Sequence, residues 1–257
     1  MELDEYRKMF AYEDGHWWFR GKRTIIAALL ARWAPRHRPL SILDVGCGTG
    51  ANLRLLGRFG EGVGVDLEPL ALTCCRRRGL DALVRANAAE MPFRDDHFDV
   101  VTLLDVLYHR RVADVARALG EARRVCRAGG LLVVTDSAFP ALRSRHDAAV
   151  HGARRFRRQE LAAAVAQSGF AVLKTSYMNT LLFPVAAAVR LADRLRGDAE
   201  GRSSVALPGG VMNRVLVSIY GLEAWLLPRI DLPFGLSVLV IGRKLTADER
   251  PARAPLG

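Results

Sequence analysis

The stretch Leu40-Ser-Ile-Leu-Asp-Val-Gly-Cys-Gly-Thr-Gly50 constrains this chain more than any other. Largely apolar residues run into Asp44, and glycines follow at every second position, Gly46, Gly48 and Gly50. An apolar run that ends in a glycine turn and opens into a helical pattern predicts a buried strand, a tight loop and a helix N-terminus. Glycine lets the backbone turn and lets a ligand come close, because no Cβ stands in either path. Dinucleotide-binding corners use G-x-G-x-x-G and set a pyrophosphate on the helix N-terminus. Here the spacing is G-x-G-x-G, and Asp44 lies two positions before the first glycine. A carboxylate at that point repels a pyrophosphate and suits an ammonium or a sulfonium, so the favoured guest is a cation.

From Leu40 onward, strand-like and helix-like segments alternate, as a parallel sheet with crossover helices requires. Strands are expected near 40–45, 61–66, 82–86, 98–104 and 129–136, then over 170–177 and 236–244. Helices are expected near 50–59, 69–78, 112–127 and 157–168. The fold class is α/β, a doubly wound, mostly parallel seven-stranded sheet. Asp66 closes the second strand about 20 residues beyond the glycines, the distance at which a carboxylate in a βαβ unit reaches ribose hydroxyls. Of 257 residues, 38 are Lys or Arg and 27 Asp or Glu, giving a net charge of +11. The arginines are scattered and form no nucleic-acid-binding signature, so nucleic acid is not an expected partner, while an anionic substrate or lipid surface stays open. Cys47, Cys74, Cys75 and Cys126 have neither metal spacing nor a disulfide framework, which points to a reducing cytoplasm. Met1 to Lys8 is charged and has no apolar signal core, so no export signal is expected.

Asp44-Val-Gly-Cys-Gly-Thr-Gly50 followed by Gly62-Val-Gly-Val-Asp66 resembles the opening motifs of class I S-adenosylmethionine (SAM) methyltransferases. The resemblance implies that the glycine loop holds the methionine end of SAM, with S-adenosylhomocysteine as product. It also implies cofactor contacts at Asp44, Gly46, Cys47, Gly48, Gly50, Asp66, Leu67, Asn87, Ala88 and Asp105. Asn87-Ala-Ala-Glu-Met-Pro-Phe93 resembles the family's D-A-x-x-L-P-F segment, in which the Asp accepts from the adenine amino group. The amide oxygen of Asn87 can still accept there, without charge assistance.

The acceptor side is read from two stretches. Asp105-Val-Leu-Tyr-His109 ends the fourth strand, at the sheet edge where ligands of open α/β sheets collect. His109 is either a general base or a packing histidine. Ubiquinone-pathway O-methyltransferases resemble this segment with E-x-x-E-H as metal ligands, but Tyr108 replaces one carboxylate, and no metal is expected. After the fifth strand, His146, Asp147, His151, Arg154 and Arg155 fall within ten residues. If that segment is helical, Asp147 and His151 share a face one turn apart, with Arg154 or Arg155 one turn further. It is then either an oriented base beside an anion grip or a solvated salt-bridge cluster. This stretch and the N-terminal His16-Trp-Trp-Phe19 resemble H-D…H…R-R and H-W-W-F segments of a bacterial methyltransferase subgroup. Phe156 stands where that subgroup has Tyr. The candidate catalytic residues are His109, His146 and His151 with Asp147 as orienter, and substrate contacts are expected at Trp17, Trp18, Arg154, Arg155 and Asn179. The aromatic trio serves equally as a hydrophobic latch.

Residues 1–35 read as a helical and aromatic cap, with helices over Glu2–Tyr12 and Thr24–Trp33 and a break at Gly15. The SAM-binding core covers 36–177 plus 236–246, an insertion covers 178–235, and 247–257 reads as a flexible tail. The insertion carries two apolar helical patterns, Leu181–Leu195 and Val211–Leu227, broken by charges and short of the roughly 20 apolar residues of a membrane span. It is expected to lid the site, or else to form a lipid tunnel, dimer interface or membrane-surface patch. The expected activity is methyl transfer to a small-molecule, glycan or lipid-type acceptor, as in secondary metabolism. Oxygen is the expected atom, with nitrogen and carboxylate open, in the cytoplasm or against the inner face of the membrane. The alternatives are a non-catalytic SAM-binding protein and an NAD-type oxidoreductase, against which Asp44 argues.

Overall fold

The computed structural model describes the chain apart from Arg38 and residues 143–149, 185–208, 247–248 and 250–257. Two helices come first, α1 (Leu3–Tyr12) and α2 (Trp17–Trp33). The alternating part follows as β1 (Leu40–Val45), α3 (Ala51–Leu56), β2 (Gly60–Asp66), α4 (Pro69–Arg77), β3 (Leu83–Arg85) and β4 (Phe98–Leu104). It continues with α5 (Val115–Val125), β5 (Cys126–Ser137), α6 (Arg158–Gln167), β6 (Phe170–Met178), α7 (Gly210–Leu226) and β7 (Ser237–Lys244). The seven strands lie in the order β3-β2-β1-β4-β5-β7-β6, parallel except for β7, which runs antiparallel to both β5 and β6. This is the doubly wound sheet that the alternation of patterns predicts.

Side chains alternate across a strand, so each central strand feeds two cores. Leu43, Val101, Leu103, Leu132 and Val134 meet Leu119 and Ala122 of α5 and Leu161 and Val165 of α6. Ile42, Val100, Leu131, Val133, Leu239 and Ile241 meet Ile25, Ile26, Leu29 and Leu30 of α2 and Tyr220 and Ala224 of α7. The run Phe98–Leu104, apolar except for Asp99 and Thr102, is the sequence mark of such a strand, and all of β4 is buried.

One expectation changes. Helix α2 begins at Trp17 and not at Thr24, because the His16 imidazole accepts from the Trp18 N–H at 3.2 Å and caps the helix. Histidine is not among the preferred capping residues, so composition alone places the start about two turns too late. Within the insertion, α7 lies beside α2 in the layer that covers the sheet. A Cβ on Gly21 would come within 2.2 Å of the Tyr220 ring. Trp17 and Trp18 flank that ring at centroid distances of 5.8 and 6.2 Å, and the Trp17 N–H donates to Asn213 Oδ1 at 2.9 Å. Most of the first apolar pattern, Leu181–Leu195, lies outside the described residues. Among those described, no helix is long and apolar enough to cross a membrane.

Candidate active site

The loop after β1 turns through three left-handed glycines, with φ of 71° at Gly46, 56° at Gly48 and 93° at Gly50. The Gly46 and Cys47 N–H groups both donate to the Val65 carbonyl, at 2.7 and 2.9 Å, which ties the loop to β2. Asp66 completes the tie: one carboxylate oxygen accepts from the Gly48 N–H at 3.0 Å and the other from the Glu68 N–H at 2.9 Å. Each oxygen keeps acceptor capacity for a ligand hydroxyl. Asp44 is 1% exposed. Its Oδ1 accepts from the Thr102 hydroxyl at 2.7 Å, and its Oδ2 has no partner among the described residues. Burial pushes its pKa up to about 7. A buried carboxylate oxygen left unpaired is costly unless a cation meets it, so the orphaned atom fits the ammonium- and sulfonium-bearing guest that the spacing predicts.

The remaining expected cofactor residues line the same corner with varied duties. Cys47 is buried with its sulfur 3.9 Å from that of Cys75, and this contact and burial push its thiol up. Leu67 is half-buried and its carbonyl accepts from Arg85 Nε at 3.2 Å. Asn87 is exposed and its side-chain oxygen accepts from the Ala89 N–H at 3.0 Å, closing its own turn, while Ala88 packs on the core. Helix α1 lies over the loop, and Met9 stands 3.1 Å from where a Gly48 Cβ would be. A latch holds its end there: buried Glu13 accepts from the Thr49 hydroxyl and from Arg78 at 2.8 Å, and Arg78 also donates to the Thr49 carbonyl at 2.8 Å. No motif announces this latch. Its only trace in sequence is the acidic pair Glu13-Asp14 just before the aromatic segment.

At the neighbouring edge, Asp105 follows β4 with φ 59° and accepts a hydrogen bond from Lys22 Nζ. Asp136, at the end of β5, is fully buried and accepts from the Tyr108 and Ser137 N–H groups at 3.0 and 2.8 Å. Burial first, and the charge of Asp105 second, push its carboxyl well up. Asn179 is buried with φ 62°; its amide nitrogen donates to the Ser237 hydroxyl at 3.1 Å. The Glu223 carboxylate accepts from the backbone N–H groups of Asn179 and Thr180. Sequence reasoning missed Lys22, Asp136, Tyr220 and Glu223. A lysine in an amphipathic helix and a tyrosine in an apolar one read as surface and core, and only the meeting of α2 with α7 brings them to this edge.

His109 and His151 come together, with ring centroids 5.8 Å apart. The Met1 amino group bonds His109 Nε2 at 2.8 Å and His151 Nδ1 at 3.0 Å, and Glu2 bonds the other nitrogen of His151. Burial, then the positive charges of Met1, His151, Arg111 and Arg110, push the pKa of His109 down to about 4. The helical register expected from Asp147 through His151 to the arginines does not form at its described end. His151 has φ 55°, and Gly152 bridges to His109 in antiparallel fashion, because the chain is drawn out by pairing with the 108–110 turn. Arg154 donates to the Val112 carbonyl and Arg155 to the Ala138 carbonyl, each at 2.9 Å. His146 and Asp147 lie outside the described residues. Among the described residues, no three His, Cys, Asp or Glu side chains are grouped closely enough to hold a metal ion.

The strand order, the antiparallel β7 and the glycine corner define the fold of class I SAM-dependent methyltransferases. Residues 43–134 match the family described as Methyltransferase domain. Demethylmenaquinone methyltransferase of Tropheryma whipplei is 36% identical over 132 residues, 50% of this chain and 51% of its own. Malonyl-[acyl-carrier protein] O-methyltransferase of Geobacter sulfurreducens is 34% identical over 169 residues, 58% of this chain and 62% of its own. The chain spans about half the length of the curated relatives it matches. A Haloferax volcanii methyltransferase solved in complex with the Trm112 activator superposes with a TM-score of 0.60 over 95% of both chains, at 19% identity, where what is shared is the fold. Residues 43–134 thus match a methyltransferase domain set in the class I SAM-dependent methyltransferase fold, and SAM is the cofactor that the glycine corner fits.

Proposed function

We propose that this chain transfers a methyl group from SAM to a small-molecule, glycan or lipid-type acceptor, at oxygen. The observation that carries the reading is the unpaired Oδ2 of Asp44 beside three left-handed glycines. Asp44 and the loop from Gly46 to Gly50 hold the cationic end of the cofactor, Asp66 its ribose, and Asn87 with Ala88 its adenine. When bound, SAM supplies a methyl group already activated on a sulfonium. The chain then has to hold the acceptor in line, a positioning effect that reaches about 7–11 kcal/mol. A base adds about 10²–10⁴-fold for a hydroxyl acceptor. Burial, then the positive charges around it, keep His109 neutral, with its pKa pushed down to about 4, which leaves it free of a proton but a weak base at neutral pH. The two relatives are named for demethylmenaquinone and for malonyl-[acyl-carrier protein], which differ as acceptors, so the acceptor is assigned here by class only.

Calorimetry with SAM and with NAD tests the donor: SAM binds and NAD does not, and the reverse result removes the reading. His109→Ala and His151→Ala are expected to keep SAM binding while at least one loses turnover. SAM binding without methyl transfer to any acceptor in a broad panel favours the non-catalytic alternative. Work at an anionic membrane surface is supported by the face that α7 exposes among the described residues, Val211, Met212, Val215, Leu222 and Trp225, with Arg214 and Arg229 beside it. Co-sedimentation with phosphatidylglycerol vesicles, lost in high salt, is the expected result.

A further inference from the structure

Three buried polar atoms on one side of the sheet have no hydrogen-bond partner among the described residues: Thr135 Oγ1, Asn179 Oδ1 and Tyr220 Oη. Register explains why they gather. Leu131 and Val133 of β5 and Leu239 and Ile241 of β7 face α2 and α7, so Thr135 and Ser237 face the same way. Asn179 donates to Ser237, and Tyr220 belongs to α7 itself. Proteins leave few buried polar groups unpaired, because each one forfeits its hydrogen bonds to water. Three together at the ligand edge of the sheet point to a guest.

The charged groups beside them narrow its chemistry. The Lys22 ammonium lies 5.7 Å from the centroid of the Trp18 ring, bonded to Asp105. Burial first, then the charges of Glu223 and Asp105, disfavour ionisation of Tyr220, so the phenol remains a donor. Asp105 itself holds a left-handed φ without being glycine, a strain that structures retain mainly at functional sites. A cationic acceptor would meet Lys22 at this edge, and an anionic one would meet Asp105 and Asp136.

We propose that Lys22 and Tyr220 hold the oxygen of a neutral acceptor bearing an acidic hydroxyl, a phenol or an enol, and that Asp105 takes its proton. The assignment rests on the methyl-transfer reading and deepens it by giving the role of base to Asp105 in place of His109. The acceptor O–H bond breaks with its proton passing to Asp105, whose side chain is 37% exposed and can pass it on to water. The electron pair stays on the acceptor oxygen, and Lys22 exchanges one oxygen anion for another, so no net charge is added to the interior. That electron pair forms the new bond to the methyl carbon, while the pair of the broken sulfur–carbon bond stays on sulfur. Lys22 and Tyr220 thereby act as an oxyanion site in a water-poor region, where such donors are most effective.

The test uses 4-nitrophenol, whose phenolate is coloured, with the protein saturated in S-adenosylhomocysteine. Bound probe is expected to ionise at least about one pH unit below free probe, the effect of a neighbouring opposite charge. Tyr220→Phe should weaken probe binding about tenfold, the loss of one hydrogen bond to a charged group, with S-adenosylhomocysteine affinity unchanged and melting temperature equal or higher. Lys22→Met should abolish the ionisation shift and Lys22→Arg should restore part of it. If Lys22→Met does not fold, Tyr220→Phe still decides. Wild-type probe binding in Tyr220→Phe, or tighter binding of 4-nitrobenzylamine than of 4-nitrophenol, overturns the assignment. Failure of the wild type to bind S-adenosylhomocysteine in calorimetry overturns the methyl-transfer reading instead, so the two failures are told apart.

Discussion

Asp44 is a carboxylate that the folded chain leaves half satisfied. Its pKa stands at about 7, raised first by burial, lowered by the Thr102 hydrogen bond and raised again by Asp66. A raised carboxyl contributes stability below its unfolded pKa of about 4, and that contribution is lost as pH rises through the folded value. A cation bound at Oδ2 favours the ionised form, so below pH 7 binding must release a proton. SAM affinity is therefore expected to climb by up to about tenfold per pH unit from 5.5 towards 7 and then level off. Calorimetry in two buffers of different ionisation enthalpy reads the released proton directly. In Asp44→Asn the slope vanishes, and affinity falls by about 2–5 kcal/mol, the usual cost of removing one partner of a buried charge pair. A variant that keeps the wild-type slope assigns the titration to another group.

Helix α2 is where element-scale packing and the site meet, because Gly21 lets it lie directly against Tyr220. Gly21→Ala would push the two helices apart, at about 1–3 kcal/mol of overpacking strain read as a lower melting temperature, and would shift Tyr220 with α7. Helix α1 is held differently, by the Glu13, Thr49 and Arg78 latch. Arg78→Met leaves the Glu13 carboxylate buried without its cation, at about 3–5 kcal/mol, and by freeing the cap should speed S-adenosylhomocysteine dissociation in stopped-flow fluorescence. A stability loss with an unchanged off-rate would make the latch structural only. These contacts also mark how far the sequence can be read. The strands and the glycine corner were legible because they depend on local period and on glycine: β1 and β4 fall where the apolar runs place them. The residues proposed for the cofactor were read from adjacency along the chain. Lys22, Asp136 and Tyr220 did not, because what makes each of them special is a neighbour far away in sequence. Lys22 meets Asp105 across 83 positions, and nothing local to either one marks the pair. The segment from His151 to Arg155 misled for the converse reason, since its helical spacing is overridden by pairing with the chain at Tyr108 and His109.

Across the whole molecule the charge is strongly positive, +11, yet the buried charges at the ligand edge of the sheet are mostly acidic. Glu13, Asp44, Asp66, Asp136 and Glu223 are all pushed upward, in each case first by burial. By the linkage sign, each holds the folded state together best when protonated, and each costs stability as pH rises through its folded pKa. His109 acts in the opposite sense. Its pKa is depressed from 6.5 to about 4, so the unfolded chain takes up a proton first and stability falls as pH drops through that window. Asp14, Asp99 and Glu121, lowered with hydrogen bonds from arginines among the causes, lose their contributions only at still lower pH. The two trends cross on the acid side of neutrality. The ligand-free protein should therefore melt highest near about pH 5–6 and lower at pH 8, against the usual plateau through neutral pH. A bound cation compensates the ionised carboxylates, so the rise in melting temperature caused by SAM should grow from pH 5.5 to pH 8. S-adenosylhomocysteine keeps the ammonium and lacks the sulfonium charge, so it should reproduce only part of that growth. Melting curves of the three states across this pH range separate the charge of the cofactor from its shape, and a cofactor shift that is flat with pH would mean that the acidic edge meets no cation.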